Sequence, residues 1–205
     1  MDNTSMAKYA ALMKEVKLRV EVIQSFQSGR SGVPYLPPTI ECIYLQIRKI
    51  LELVAFGSLI ANKQAYVQAY SNFSKTWNAE LLLRDLSRIN ANFYPRAIFE
   101  VPSAVPGVVN DFKDRDDALT EVDFIKIYKK CGAILHAANP YGSIVDIDYY
   151  KSHASEWVNK IVNLLNSHVI RLLDETRFYL VHMKEDKDDE VHWYEFSRME
   201  DGNHW

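Results

Sequence analysis

The 205-residue chain is 48% apolar and 25% charged, a balance that is typical of a folded globular protein and excludes a disordered one. Its formal net charge of −3 excludes an overall positive field that would attract nucleic acid or an anionic membrane, so such binding would need a local patch. The first residues lack the basic start and apolar stretch of a secretory signal, and the longest apolar stretch is far shorter than a membrane span. Because the two cysteines also fall outside metal-type and redox-type spacings, we expect a cytoplasmic protein with no membrane contact.

Two long amphipathic helices are predicted in the first third of the chain. Apolar residues recur every three or four positions from Met6 to Gln27, and from Ile40 to Ala61 they cover nearly all sides of the helix. The second helix should therefore be the central one. Glycines and prolines concentrated in residues 28–38 predict a loop between the two helices, and Thr39 can cap the second helix.

The middle of the chain predicts shorter helices and a β excursion. The helical period continues from Lys63 to Ser74 and from Lys75 to Ile89. It disappears between residues 90 and 117, where two β-prone runs, 97–101 and 108–112, indicate a small hairpin. Thr120 and Asp123 approximate a capping box that opens a helix ending near His136.

The C-terminal third predicts one long helix and one β-hairpin. Apolar spacing indicates a helix from Asp148 to Asp174, and β-branched and aromatic residues at 177–183 and 191–198 indicate two strands joined by an acidic, solvated turn. His182 and His192 would lie opposite each other if these strands pair symmetrically. The predicted fold class is mainly α: a helical bundle of residues 1–175, a short irregular or β excursion near 95–115, and a C-terminal β-hairpin of residues 176–205 packed on the same domain.

One segment, residues 124–140, places cations just before a histidine at a helix end. Lys129 lies two turns before His136 on the same helix face, whereas Lys130 is rotated off that face. A histidine that moves protons and a cation that stabilises phosphorane-like charge can cleave RNA without a metal. The alternative is structural: His136 interacts with the dipole at the helix C-terminus, and both lysines are solvated charges near the same end.

This segment resembles the HEPN superfamily, whose helical bundles often carry an Arg, four to six further residues, and a His. His136 matches the histidine, and Lys130 or Lys129 stands at the arginine position. A lysine lacks the bidentate fork of arginine, and Cys131 follows Lys130 where the family usually has a polar residue. Short phrases at 45–52, 77–80 and 93–95 are also similar to uncharacterised bacterial proteins. The resemblance implies a homodimer whose composite site holds the three catalytic candidates His136, Lys129 and Lys130.

Two functions follow as hypotheses. The first is a metal-independent ribonuclease or nucleotide-processing protein of a bacterial defence or toxin type, with Arg48, Glu52 and Asn139 lining the RNA-binding cleft. The second is a non-catalytic, dimeric interaction module, for which the aromatic strand 191–196 offers a contact surface. Gly132 inside a helix suggests close packing of another group there, within the chain or across a dimer. No cofactor signature and no metal-type spacing are present, so no cofactor is predicted and the partners are a second copy, RNA or another protein.

Overall fold

A computed structural model describes residues 1–70, 78–105, 110–137, 139–142, 144–173, 176–185 and 187–197. Six helices and five strands lie in these ranges. In chain order they are α1 (Asn3–Gln27), α2 (Leu36–Ala61), α3 (Lys63–Ala69), α4 (Ala79–Ile89), β1 (Arg96–Pro102), β2 (Asn110–Asp114), α5 (Glu121–Ile134), α6 (Ile147–Leu165), β3 (Ser167–Arg171), β4 (Arg177–His182) and β5 (His192–Ser197). Two helices were predicted over residues 63–89, and the junction between them, residues 71–77, lies outside the described ranges.

Helix α2 is the central helix, as predicted, and packs against the other five described helices. It begins earlier than expected, at Leu36, with Pro37 and Pro38 in its first turn. Prolines fit there because the first N–H groups of a helix have no partner within it. The predicted loop is therefore shorter at its C-terminal end, and Thr39 lies inside the helix instead of capping it.

The predicted fold class is wrong, because the helices are combined with a five-stranded antiparallel sheet of order β2-β1-β3-β4-β5. The last helix, predicted to reach Asp174, ends at Leu165, and the residues after it form β3 at the centre of the sheet. Val169 and Leu172 continue the apolar spacing of the helix, so periodicity alone does not separate a short buried strand from a helical turn. Strand β3 joins the two hairpins into one sheet.

The sheet curls strongly. Phe112 on β2 packs edge-on against Phe178 on β4 and Phe196 on β5, with ring centroids 6.2 and 5.9 Å apart. In a flat sheet, β2 and β5 would be about 19 Å apart, since neighbouring strands lie about 4.8 Å from each other. The β1–β2 ribbon therefore folds back across the face that points away from the helices. A second small core, with Ile98, Val169 and Leu180 buried at its centre, forms under this ribbon.

The turn between β4 and β5 contacts α1. Lys14 forms an ion pair with Glu190, and the Lys17 ammonium lies 2.6 Å from the Asp189 carboxylate and 3.2 Å from the Met183 carbonyl oxygen. The described residues from Lys187 to Glu190 are exposed to solvent, as expected for this turn, and the ion pairs attach it to α1. The predicted register of the hairpin is confirmed, since His182 pairs with His192 across β4 and β5.

Candidate functional site

The exposed face of α5 carries part of the predicted site. Thr120 caps the helix by accepting a hydrogen bond from the Asp123 N–H at 3.1 Å. The exposed residues of the helix recur at steps of three and four; they are Val122, Lys126, Lys129 and Ala133. His136 follows two residues after the helix ends and is also exposed. Both His136 and Lys129 are therefore accessible from solvent.

His136 lies at a shallow groove of about 250 Å³ between the end of α5 and the start of α2. The other residues lining the groove are Pro37, Glu41, Ile134, Ala137, Ile144, Val145 and Ile147. Glu41 and His136 supply the only ionisable side chains among these residues. The groove is therefore mostly apolar, and its one fixed charge is a carboxylate instead of the cation that phosphate chemistry needs.

The lysines expected beside His136 contact other groups. The Lys129 ammonium forms a 2.8 Å ion pair with Glu80 of α4. The Lys130 ammonium lies 4.9 Å from the ring centroid of Tyr149, which belongs to α6. Neither lysine lines the groove at His136, so the structure does not bring the three catalytic candidates together in one monomer.

Asn139 organises the turn after α5. Its side-chain oxygen accepts a hydrogen bond from the Tyr141 N–H at 3.0 Å, and its carbonyl oxygen accepts one from the Gly142 N–H at 2.8 Å. Asparagine commonly forms such side-chain-to-backbone hydrogen bonds in turns. Tyr141 in this turn is 97% exposed, and Ile144, which lines the groove, is 94% exposed.

Arg48 and Glu52 form a compact cluster with Tyr128. The Arg48 guanidinium donates to the Tyr128 hydroxyl at 2.8 Å and lies 4.2 Å from the centroid of the Tyr128 ring. Glu52 lies 3.3 Å from Arg48 Nε and accepts a 3.3 Å hydrogen bond from the Tyr128 hydroxyl. A Cβ atom added to Gly132 would lie 3.2 Å from Arg48, which confirms the expected close packing at this glycine. The guanidinium thus fills the space left by the missing side chain.

Burial raises the pKa of two ionisable groups, one beside this cluster and one within it. It raises the pKa of the Cys131 thiol to about 12, so this cysteine stays protonated and is not a nucleophile at neutral pH. It also raises the pKa of Tyr128. Sequence reasoning missed Tyr128 and Glu41. A signal existed for both, since Tyr128 lies one turn before Gly132 and Glu41 lies two turns before Arg48.

Within the described ranges, no three or more His, Cys, Asp or Glu side chains are grouped so that they could hold a metal ion. None of the described helices is both long and apolar enough to cross a membrane. Comparisons with protein families, curated proteins and solved structures gave no match for this chain.

Proposed function

We propose that the joint exposed face of α2 and α5 is a non-catalytic interaction surface, through which the protein works as a homodimer. The observation that carries this proposal is the groove beside His136, which has apolar walls and is lined by the almost fully exposed Ile144, with the exposed Tyr141 three residues before it in the chain. Exposed apolar clusters of this kind are typical of interaction sites. The two free cysteines, Cys42 and Cys131, fit a cytoplasmic location, where thiols stay reduced.

Charge complementarity favours a second copy of the chain as the partner. Glu41 lies at one end of the α2–α5 face and Lys126 lies toward the other end, and neither has an ion-pair partner among the described residues. On α5, Lys126 is about 12 Å, at 1.5 Å per residue, from Ile134, which lines the groove together with Glu41. A two-fold axis near Ala133 would bring Lys126 of each copy to Glu41 of the other, and both pairs form at once because a two-fold interface uses the same patch twice.

The test is a charge exchange followed by sedimentation equilibrium. Glu41→Lys and Lys126→Glu should each weaken dimerisation at least tenfold, because each replaces two attractive pairs, worth up to about 1 kcal/mol apiece, by two repulsive ones. The double variant Glu41→Lys/Lys126→Glu should restore the wild-type dissociation constant.

Ala133→Arg, at the centre of the face, should give a monomer because its side chain is exposed in the monomer and would clash in the dimer. The matched control is Leu18→Arg on α1, at a residue that is 58% exposed and lies outside this face. A monomeric wild type, or equal dissociation constants for both arginine variants, contradicts the proposal.

The second candidate is metal-independent cleavage of RNA of the HEPN type, in defence or in a toxin system. It is favoured by one arrangement: His136 is exposed, and the Arg48 guanidinium lies against Gly132, which comes four residues before His136 in the chain. Arg48 would then supply the guanidinium that Lys129 and Lys130 lack. His136 would move the proton of the ribose 2′-hydroxyl, and the cation would stabilise the phosphorane-like charge.

Purified wild type and His136→Ala should be compared on structured and single-stranded RNA with chelator present. Loss of cleavage in His136→Ala, with cleavage retained in His192→Ala as the matched histidine control, supports the nuclease. Absence of cleavage by the wild type, or equal cleavage by all three proteins, excludes it and leaves the interaction module.

A further inference from the structure

A series of polar contacts on the outer face of the sheet joins a serine, a histidine and a carboxylate. Ser167 opens β3 and pairs directly with His182 at the end of β4. The Ser167 hydroxyl lies 3.0 Å from His182 Nδ1, and His182 Nε2 lies 3.2 Å from the carboxylate of Glu100, which the folded-back β1–β2 ribbon carries over this face. Asn110 donates to the other oxygen of that carboxylate at 2.7 Å.

The partners of the imidazole assign its tautomer. A carboxylate has no proton to donate, so in the neutral ring the contact with Glu100 favours the tautomer with its proton on His182 Nε2. His182 Nδ1 is then the unprotonated nitrogen, and the Ser167 hydroxyl donates to it. This is the arrangement of an activated serine: a base within reach of the hydroxyl, oriented by a third group. The connectivity differs from that of familiar serine hydrolases, in which the other ring nitrogen faces the serine.

The local packing holds this arrangement in place and leaves one side open. The side chains of His182 and Glu100 are only 16% and 29% exposed, and the Tyr194 ring lies edge-on to the imidazole, with centroids 5.9 Å apart. Beside His182 is a surface hollow of about 340 Å³ that is lined also by Lys184, Glu185 and Lys187. Lys184 and Lys187 outnumber Glu185, so the lining has a formal net charge of +1, which favours a substrate that carries negative charge.

We propose that Ser167 is a nucleophile and His182 its general base, in a site for carboxylic esters whose acyl part is anionic. The Ser167 oxygen bonds to the ester carbonyl carbon, and its proton passes to His182 Nδ1. The bond between that carbon and the alcohol oxygen then breaks, and the alcohol leaves with this proton. Water, deprotonated by the same nitrogen, attacks the acyl-serine and releases the carboxylic acid and the free hydroxyl. No electrons are exchanged, and water is the only co-reactant.

In this site Glu100 and Asn110 are positioning residues, because they act through the imidazole. The site shares no residue with the α2–α5 face, so it stands or falls independently of dimerisation and of RNA cleavage.

The first experiment uses a fluorophosphonate as the probe and intact-mass spectrometry as the readout. The Ser167 oxygen should bond to phosphorus as fluoride leaves, and peptide mapping should place the single adduct on Ser167. Labelling should be lost in Ser167→Ala and unchanged in Ser87→Ala, which removes an exposed hydroxyl on α4. His182→Gln should label about 10² to 10⁴ times more slowly, the usual contribution of a general base.

The second experiment measures hydrolysis of the nitrophenyl monoester of succinic acid, an anionic activated ester. In Glu100→Gln the amide oxygen can still accept a hydrogen bond from the Nε2–H group, but the negative charge is lost, so kcat should fall at least tenfold while KM stays within twofold. A merely structural role would instead lower the midpoint of denaturation and leave the kcat of the folded protein unchanged. An unlabelled wild type, an adduct on another residue, or equal labelling of wild type and Ser167→Ala overturns the proposal.

Discussion

The clearest pH-dependent prediction concerns His168, which is fully buried between α1 and the sheet. The Tyr9 hydroxyl lies 2.7 Å from its Nε2, and the Leu165 carbonyl oxygen lies 2.7 Å from its Nδ1. Because a carbonyl only accepts, Nδ1 carries the proton of the neutral ring, and Nε2 accepts from Tyr9. A second proton would place an unpaired charge in the core. Burial therefore lowers the pKa of His168 to about 4 from its ordinary value of 6.5.

The direction in which stability changes with pH follows from the linkage between protonation and folding. The unfolded chain binds a proton near pH 6.5 and the folded chain only near pH 4, so acid favours the unfolded state and the stability contributed by neutral His168 declines as the pH falls below 6.5. With these two pKa values, the free energy of unfolding should fall by about 2 kcal/mol between pH 7.5 and pH 5, and by about 3 kcal/mol at pH 4.

Urea denaturation of wild type and His168→Gln at pH 7.5, 6, 5 and 4 tests this prediction. Glutamine can donate to one partner and accept from the other but does not titrate in this range, so the difference in stability between the two proteins should shrink by these amounts as the pH falls. His192→Gln is a useful control of opposite sign, since its hydrogen bond to Asp188 raises the pKa of His192, and its contribution declines as the pH rises. Parallel loss of stability in wild type and His168→Gln would refute the argument.

The remaining predictions concern two glycines and one buried amide, all measured by urea denaturation. Gly57→Ala should destabilise the protein by about 1 kcal/mol, because its Cβ would lie 2.9 Å from the buried ring of Tyr9 and the cost of overpacking exceeds the gain in helix propensity. Gly132→Ala should instead be neutral or stabilise by up to about 1 kcal/mol, since the Arg48 guanidinium is partly exposed and can shift. Asn90→Ala should lower the free energy of unfolding by about 1 to 3 kcal/mol, because the buried side-chain oxygen of Asn62 loses the hydrogen bond that Asn90 donates.

Local sequence signals predicted the helices well and the sheet poorly. Spacing alone identified α1, α2 and the exposed face of α5, because a helix satisfies its own backbone and its pattern is contained in one segment. Strand β3, by contrast, cannot satisfy its own backbone hydrogen bonds and depends on neighbouring strands. Its five residues acquire a β conformation from pairing with β1 and β4, and neither glycine nor proline separates it from α6. The continued apolar spacing through Val169 therefore predicted a helix where there is a strand.

The same contrast holds for the candidate site: features within one helix were predictable from the sequence, and contacts between helices were not. The sequence predicted a helix that carries Lys129 and ends near His136, and α5 does end two residues before that histidine. It could not predict that Glu80 pairs with Lys129 or that Tyr149 lies under Lys130, because those partners come from other helices whose docking is a tertiary property. Glu41 reaches the groove of His136 for the same reason.

Strand β3 carries both the buried His168, which affects stability, and Ser167, the proposed nucleophile. Side chains of a strand alternate between its two faces, so the neighbours Ser167 and His168 point in opposite directions. His168 meets Tyr9 in the main core, and Ser167 meets His182 on the outer face. A slip of one residue in the pairing of β3 with β4 would reverse both and break both sets of hydrogen bonds. Since the buried contact of His168 fixes this register, it also fixes the distance between Ser167 and its base, although it takes no part in the reaction itself.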